Sequence, residues 1–363
     1  MTKRLINGAV LYFDARYIRV GQHDGISRFS AGLLTALFET HQVIAIISDD
    51  RQLAHLPAGI KFEKLNDPTD AIAELSVARK LNALGAKLVY SPMQTMGIAG
   101  RKFKVALTLH DLIYYRHKTP PASFNWAIKL GWRIFHLTYM PQRLLLNRAD
   151  AVVTVSETTK SLMKLHRLTK KPIRVVYNAG SSQTVTHARN APATKALVYM
   201  GSFMAYKNVE TLVRALPLLE GFELRLLSRI SPKRRADLLN LAGGNAHQIS
   251  FLDGVTDSQY ENELDNAFAL VSASLDEGFG IPLIESMERA TPVVVSDLEI
   301  FREVGGKAAH YFEASNAGDF AAQIKSLSEP ATWAEASKAS LDQAQRFSWR
   351  QSADALVAAL ESL

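Results

Sequence analysis

The sequence predicts an α/β protein made of two domains, each built on a parallel sheet. Three observations carry this. At 363 residues the chain is long for one hydrophobic core and comfortable for two. Short apolar runs alternate with segments of helical period, which is the pattern of parallel strands with helices on both faces. A polar stretch bearing Gly, Pro, Ser and Thr, residues 178–194 (NAGSSQTVTHARNAPAT), parts the halves as a linker would. The expected division is residues 1–180, a linker at 181–194, a second domain at 195–345 and a terminal helix at 346–363.

Composition sets the outer limits. Hydrophobic residues make up 47% and charged residues 21%, as in ordinary folded proteins. There are no cysteines, which excludes disulfides, thiolate catalysis and cysteine-based zinc sites and is compatible with the cytosol. Residues 1–13 hold only a short apolar run before Asp14 and Arg16, unlike a secretory leader. No segment is apolar for long enough to span a bilayer, since even residues 124–140 are interrupted by Lys129, Arg133 and His136. The expectation is a cytoplasmic protein, peripheral to a membrane at most. The net charge of +7 hides a split, with residues 1–190 at +15 and residues 191–363 at −8. Such asymmetry suggests that one half faces an anionic surface.

In the first half, residues 9–17 (AVLYFDARY) read as a strand, then a loop that ends at Gly25, then a helix over 26–40. Residues 43–48 (VIAIIS), 88–91 and 105–109 read as further strands, with a helix over 75–84. No G-x-G-x-x-G follows any of them, so a nicotinamide or flavin dinucleotide is not indicated. His110 and Asp111 stand just past the strand at 105–109, where open α/β sheets line their ligand crevice. The pair reads either as a ligand-facing group or as a histidine satisfied locally by its neighbour. Residues 101–174 carry 15 Lys and Arg against three acids, with Trp126, Trp132 and Tyr139 among them. That mixture suits an anionic membrane boundary, or aromatics packed on the sheet beneath solvated cations. It would also suit nucleic acid, but no nucleic-acid motif accompanies it. Residues 151–155 are the last strand expected here, and Ser156 caps the helix after it.

The second half starts with a strand at 196–200, a turn through Gly201 and Ser202, Lys207, and a helix over 209–219. Residues 223–228 form another strand, and residues 320–327 and 349–363 are helical by pattern. The organising stretch is residues 275–288, LDEGFGIPLIESME, between buried strands at 267–274 and 291–297. Gly278 and Gly280 let backbone approach a ligand, and Pro282 suits the first position of a helix. A helix N-terminus after such a turn favours anions. Two carboxylates flank it, Glu277 before the turn and Glu285 in the first helical turn, and a carboxylate accepts from adjacent hydroxyls. A ligand with phosphates and hydroxyls fits, such as a sugar nucleotide.

Residues 253–313 resemble the donor domain of glycosyltransferase family 4, retaining enzymes of the GT-B fold, and Glu277 and Glu285 match its E-x7-E element. The likeness is strong over 196–313 and weaker over 1–180. It implies two Rossmann-like domains facing across a cleft, with the terminal helix returning towards the first. It also implies retaining transfer of a hexose from a nucleotide sugar to an acceptor hydroxyl, with no required metal or other cofactor. On that resemblance His110, Lys207 and Glu277 are catalytic. Gly25, Gly201, Ser202, Gly278, Phe279, Gly280, Ile281 and Glu285 bind the donor, and Asp111 and Tyr114 lie on the acceptor side. The form HDLIYYRH, from His110 to His117, resembles mannosyltransferase-like members and favours GDP-mannose over a UDP-sugar.

The basic first half favours a lipid or lipid-linked glycan acceptor at the cytoplasmic membrane face. Two departures stand out. Many members have Asn-Gly where this chain has Asn178-Ala179, and many have arginine where it has Ser202. The second leaves a diphosphate one cation short unless Arg229 or Arg302 substitutes. A UDP-sugar transferase and a non-catalytic nucleotide-sugar binder are the alternatives; the motifs of sugar-nucleotide 2-epimerases are not seen.

Overall fold

Runs rich in Val, Ile and Leu build two all-parallel sheets in the computed structural model, which describes residues 3–21, 24–120, 126–180, 185 and 187–363. Residues 181–184 and 186, within the expected linker, lie outside the described residues. The chain divides into two compact units, Met1–Ala179 with Ser348–Leu363, and Gly180–Phe347.

The first unit holds β1 (Leu11–Asp14), β2 (Val43–Ile47), β3 (Lys61–Lys64), β4 (Leu88–Ser91), β5 (Lys104–Leu109), β6 (Ala151–Thr154) and β7 (Ile173–Val175). Their spatial order is β3-β2-β1-β4-β5-β6-β7. β1, β4 and β6 are buried at every position because helices cover both faces. The helix Gly25–Thr40 starts on Asp24, whose side chain accepts from the Ser27 amide. It packs against the last helix, Trp349–Glu361, at Gly32, where a Cβ would lie 2.2 Å from the Trp349 ring. Ser156 caps Glu157–Leu165 by accepting from the Thr159 amide, as the sequence predicts.

The second unit holds β8 (Ala196–Tyr199), β9 (Glu223–Leu226), β10 (Ile249–Phe251), β11 (Ala269–Ser272), β12 (Val293–Ser296) and β13 (His310–Phe312), in the order β10-β9-β8-β11-β12-β13. Its core joins β8, β9 and β11 to the helix Ala317–Leu327 through Phe222, Phe268, Phe320 and the buried Trp333. In both sheets the order reverses beside the first strand, between β1 and β4 and between β8 and β11. That reversal is the doubly wound arrangement, and it opens a crevice past the strand C-termini.

Several elements differ from expectation. The helix expected over 75–84 is two, Ala71–Glu74 and Val77–Ala83, because the Asp70 side chain caps an earlier start at Ile72 and Ala73. The helix expected over 209–219 ends at Arg214 and passes into a 3₁₀ turn, Leu216–Leu218, where Pro217 has no amide to continue the ladder. β3, β7, β10 and β13 are additional strands.

Candidate active site

Two loops of the second unit meet at its switch point, one after β8 and one after β11. The β8 loop leaves buried Tyr199, whose hydroxyl donates to the Ser202 carbonyl at 2.6 Å. The Gly201 amide donates to Ser228 Oγ at 3.2 Å, which ties the turn to the end of β9. A short 3₁₀ turn, Ala205–Lys207, follows and closes on Asn208 at φ +50°. The Asn208 amide side chain donates to the carbonyls of Ala273 (3.1 Å) and Ala314 (2.7 Å), and the Leu275 amide donates to the Tyr206 carbonyl at 2.7 Å. These bonds fix Lys207 against the β11 loop.

Lys207 Nζ forms an ion pair with Glu277 Oε2, both side chains being mostly buried. Burial, and then the nearby Glu277 carboxylate, push the Tyr199 hydroxyl well above its ordinary range. The β11 loop then reaches Gly280 at φ +95°, a left-handed conformation that favours glycine. A Cβ there would also lie 2.9 Å from the Phe301 ring.

The helix Ile281–Glu288 begins directly after it with no side-chain cap, so its first amides face the turn. Pro282 is the second helical residue rather than the first. A cavity of about 100 Å³ lies among Gly201, Lys207, Glu277, Gly280 and Pro282. Its size suits the inner end of a ligand site rather than all of one.

The expectation for Glu285 needs correction. It stands in the second turn of this helix, because the helix starts at Ile281, and it is 7% exposed. Phe279 is buried, with its ring edge-to-face to Phe347 at 6.0 Å. Of the two cations considered as replacements at Ser202, Arg302 is committed to Asp297, with Nε and Nη2 both donating to that carboxylate. Arg229 is exposed, lies one residue past Ser228, and ion-pairs with no described residue.

In the first unit, Gly25 is the first residue of its helix, and His110 follows β5. His110 is not satisfied by its neighbour: its Nε2–H donates to the Pro92 carbonyl at 2.8 Å, in the loop after β4. A carbonyl only accepts, so Nε2 carries the proton and Nδ1 is the acceptor. Phe29 packs edge-to-face on the ring at 5.1 Å, and burial lowers the imidazole to about 4, so it is neutral at pH 7. Asp111 accepts from the Ile113 amide at 3.0 Å. Tyr114 packs on Trp132 and His136, and burial, then Asp111, raise its hydroxyl.

The Pro92 carbonyl is a positioning group that sequence reasoning missed, because a backbone acceptor 18 residues away leaves no signal. Behind it, Ser91 Oγ donates to Asp14 at 3.1 Å, and Asp14 and Glu74 both hold the buried Arg16 guanidinium. No group of three or more His, Asp or Glu side chains is placed to hold a metal among the described residues.

Two doubly wound parallel-sheet units are the architecture of the GT-B glycosyltransferases. The family models agree with it. "Glycosyl transferases group 1" matches residues 194–329 and "Glycosyltransferase Family 4" matches residues 24–179, and the chain is a glycosyltransferase of this family.

Among relatives, it is 24% identical over 319 residues to the O-antigen chain mannosyltransferase RfbU of Salmonella typhimurium, covering 84% of this chain and 87% of that one. It is 33% identical over 138 residues to the phosphatidyl-myo-inositol mannosyltransferase of Mycobacterium leprae, about a third of each chain (37% and 36%). Two solved structures share the fold. Sucrose-phosphate synthase from Thermosynechococcus elongatus has a TM-score of 0.76 at 17% identity, covering 98% of each chain. Anabaena HepE, solved with UDP and glucose, has a TM-score of 0.72 at 17% identity, covering 98% of this chain and 100% of its own.

Proposed function

We propose that the protein transfers a hexose, with mannose favoured, from a nucleotide-sugar donor to an acceptor hydroxyl, with retention at the anomeric carbon. The observation that carries the donor site is the meeting of Lys207, Glu277 and the uncapped helix Ile281–Glu288 around one cavity. Lys207 and the amides of Gly278–Ile281 stabilise the charge that develops on the leaving diphosphate, as preorganised donors do. Glu277 meets the sugar hydroxyls and positions Lys207. Glu285 accepts from the ribose diol. Gly201 and Ser202 pass their backbone close to the phosphates, and Arg229 supplies the cation absent at Ser202. The positive charge comes from the protein, with no resident metal or cofactor in the reading.

In this reading His110 acts at the reacting carbon of the sugar, Gly25 contacts the donor, and Asp111 and Tyr114 contact the acceptor. The neutral ring offers Nδ1 as an acceptor to a sugar hydroxyl. The acceptor is a lipid or lipid-linked glycan presented at the inner face of the membrane. Support for mannose comes from the RfbU and Mycobacterium leprae relatives. A UDP-sugar donor is the second reading, favoured by the UDP and glucose of the HepE structure.

The test is a panel of GDP-mannose, UDP-glucose and UDP-galactose, followed by nucleotide release and by the anomeric configuration of the product. Release from GDP-mannose, with retention in the product, is the expected result. Binding of a nucleotide without turnover of any donor would leave a non-catalytic binder.

A further inference from the structure

One face of the helix Trp126–Phe135 is apolar, exposed and without a role in the site above. Trp126 is 79% exposed, Leu130 51% and Ile134 58%. They recur every four residues and so form one stripe along the helix. On the opposite side Trp132 packs on Tyr114 at 5.2 Å and His136, just past the helix, on Tyr115 at 5.0 Å, and only the end of that side near Ile128, 51% exposed, is open. Leu137, Met140 and Leu144 continue the exposed apolar series into the helix Met140–Leu146. Lys129 and Arg133 each precede a stripe residue and flank it, within a region of 15 cations and three acids. The packed-aromatic alternative holds for Trp132 and Tyr139, but not for Trp126.

Such a surface needs a cover. The helix has 10 residues, about 15 Å of length, and no described helix is long and apolar enough to cross a bilayer. A second copy would bring two surfaces of like charge together, each with the same cation surplus. A nucleic-acid backbone would pair the cations and leave the aliphatic stripe in water. An anionic bilayer takes both, with the stripe at the acyl boundary and the cations at the phosphates.

We propose that the Trp126–Phe135 helix is an interfacial anchor. It lies in the plane of an anionic membrane with Trp126, Leu130 and Ile134 inserted and Lys129 and Arg133 at the lipid phosphates. The proposal deepens the lipid-acceptor reading and rests on it for its purpose, which is to hold the enzyme where its acceptor is presented.

Co-sedimentation with vesicles of phosphatidylglycerol and phosphatidylcholine tests it on the full chain. Wild type should bind at low salt and keep a bound fraction at high salt, because insertion is not screened. The Trp126→Ser/Ile134→Ser variant should lose that salt-resistant fraction, with partitioning down about tenfold or more. Lys129→Gln/Arg133→Gln should weaken binding at low salt above all. Both variants should melt cooperatively and hydrolyse donor like wild type, which separates a lost anchor from a lost fold. Equal partitioning of the Ser/Ser variant and wild type overturns the anchor, as does failure of wild type to bind. A dimer in vesicle-free solution that the Ser/Ser variant dissociates overturns it in favour of a second copy. If wild type binds through the stripe yet turns over no donor, the anchor stands and the transferase reading falls.

Discussion

The two units share one strand order and differ in what they place at its reversal. In the second, the loops after β8 and β11 bring Lys207, Glu277 and an uncapped helix N-terminus together. In the first, the loops after β1 and β4 are filled by a buried ion cluster, Arg16 with Asp14 and Glu74, and by the carbonyl that holds a neutral His110. One crevice presents a cation and a helix N-terminus to an anion, and the other commits its buried cation, Arg16, to two carboxylates. Outside, the contrast runs the other way, since residues 1–190 carry +15 and residues 191–363 carry −8. Topology alone therefore provides a place for a ligand, and the residues past the strand ends decide which ligand it is.

The sharpest way to break this comparison is to remove the cation from the second crevice. Lys207→Ala should cut turnover about 10²–10³-fold, the size expected for losing one preorganised charge donor, and should also lower the melting temperature because Glu277 loses its partner. If steady-state turnover is unaffected, the anion site lies elsewhere. Arg229→Ala should cost less, about tenfold in nucleotide affinity, since the side chain is exposed and its pairing is screened. An isotherm unchanged by that variant would leave Ser202 uncompensated.

A stability measurement sharpens the role of the turn. Gly280→Ala forces a Cβ into a left-handed position and against Phe301, and should lower unfolding stability by about 1–2 kcal/mol in denaturant titration. A further prediction concerns the first crevice. Folding lowers the His110 imidazole to about 4, below its unfolded value, so the unfolded chain binds the extra proton between the two values. Its contribution to stability is complete above about pH 6.5 and is lost as pH falls towards 4. His110→Gln should flatten the dependence of melting temperature on pH in that window. An unchanged slope would mean that other groups set it.

How much was legible follows from burial. The interior strands β1, β2, β6, β8 and β12 are continuous apolar runs such as VIAII and VVVS, which read directly as strands covered on both faces. The edge strand β3 is KFEK and mostly exposed, so it has no apolar run to find. β10 and β13, ISF and HYF, are three residues each and too short for periodicity. The β11 turn was legible because Gly278, Gly280 and Pro282 are local signals. Read from the sequence, its helix starts at Pro282, one residue late, which puts Glu285 in the first turn rather than the second. The bond from His110 to Pro92 and the Arg16 cluster join residues 18 and 58 apart, and only the closed sheet brings them together.

The most direct test of the central claim is calorimetric binding of GDP, UDP and ADP to the full chain, beside Lys207→Ala and Glu285→Ala. One nucleotide should bind well to wild type, and both variants should weaken it, Lys207→Ala through the diphosphate and Glu285→Ala through the ribose. Binding of equal strength in both variants, or none of the three nucleotides bound by wild type, would contradict a donor site at the β8–β11 crevice.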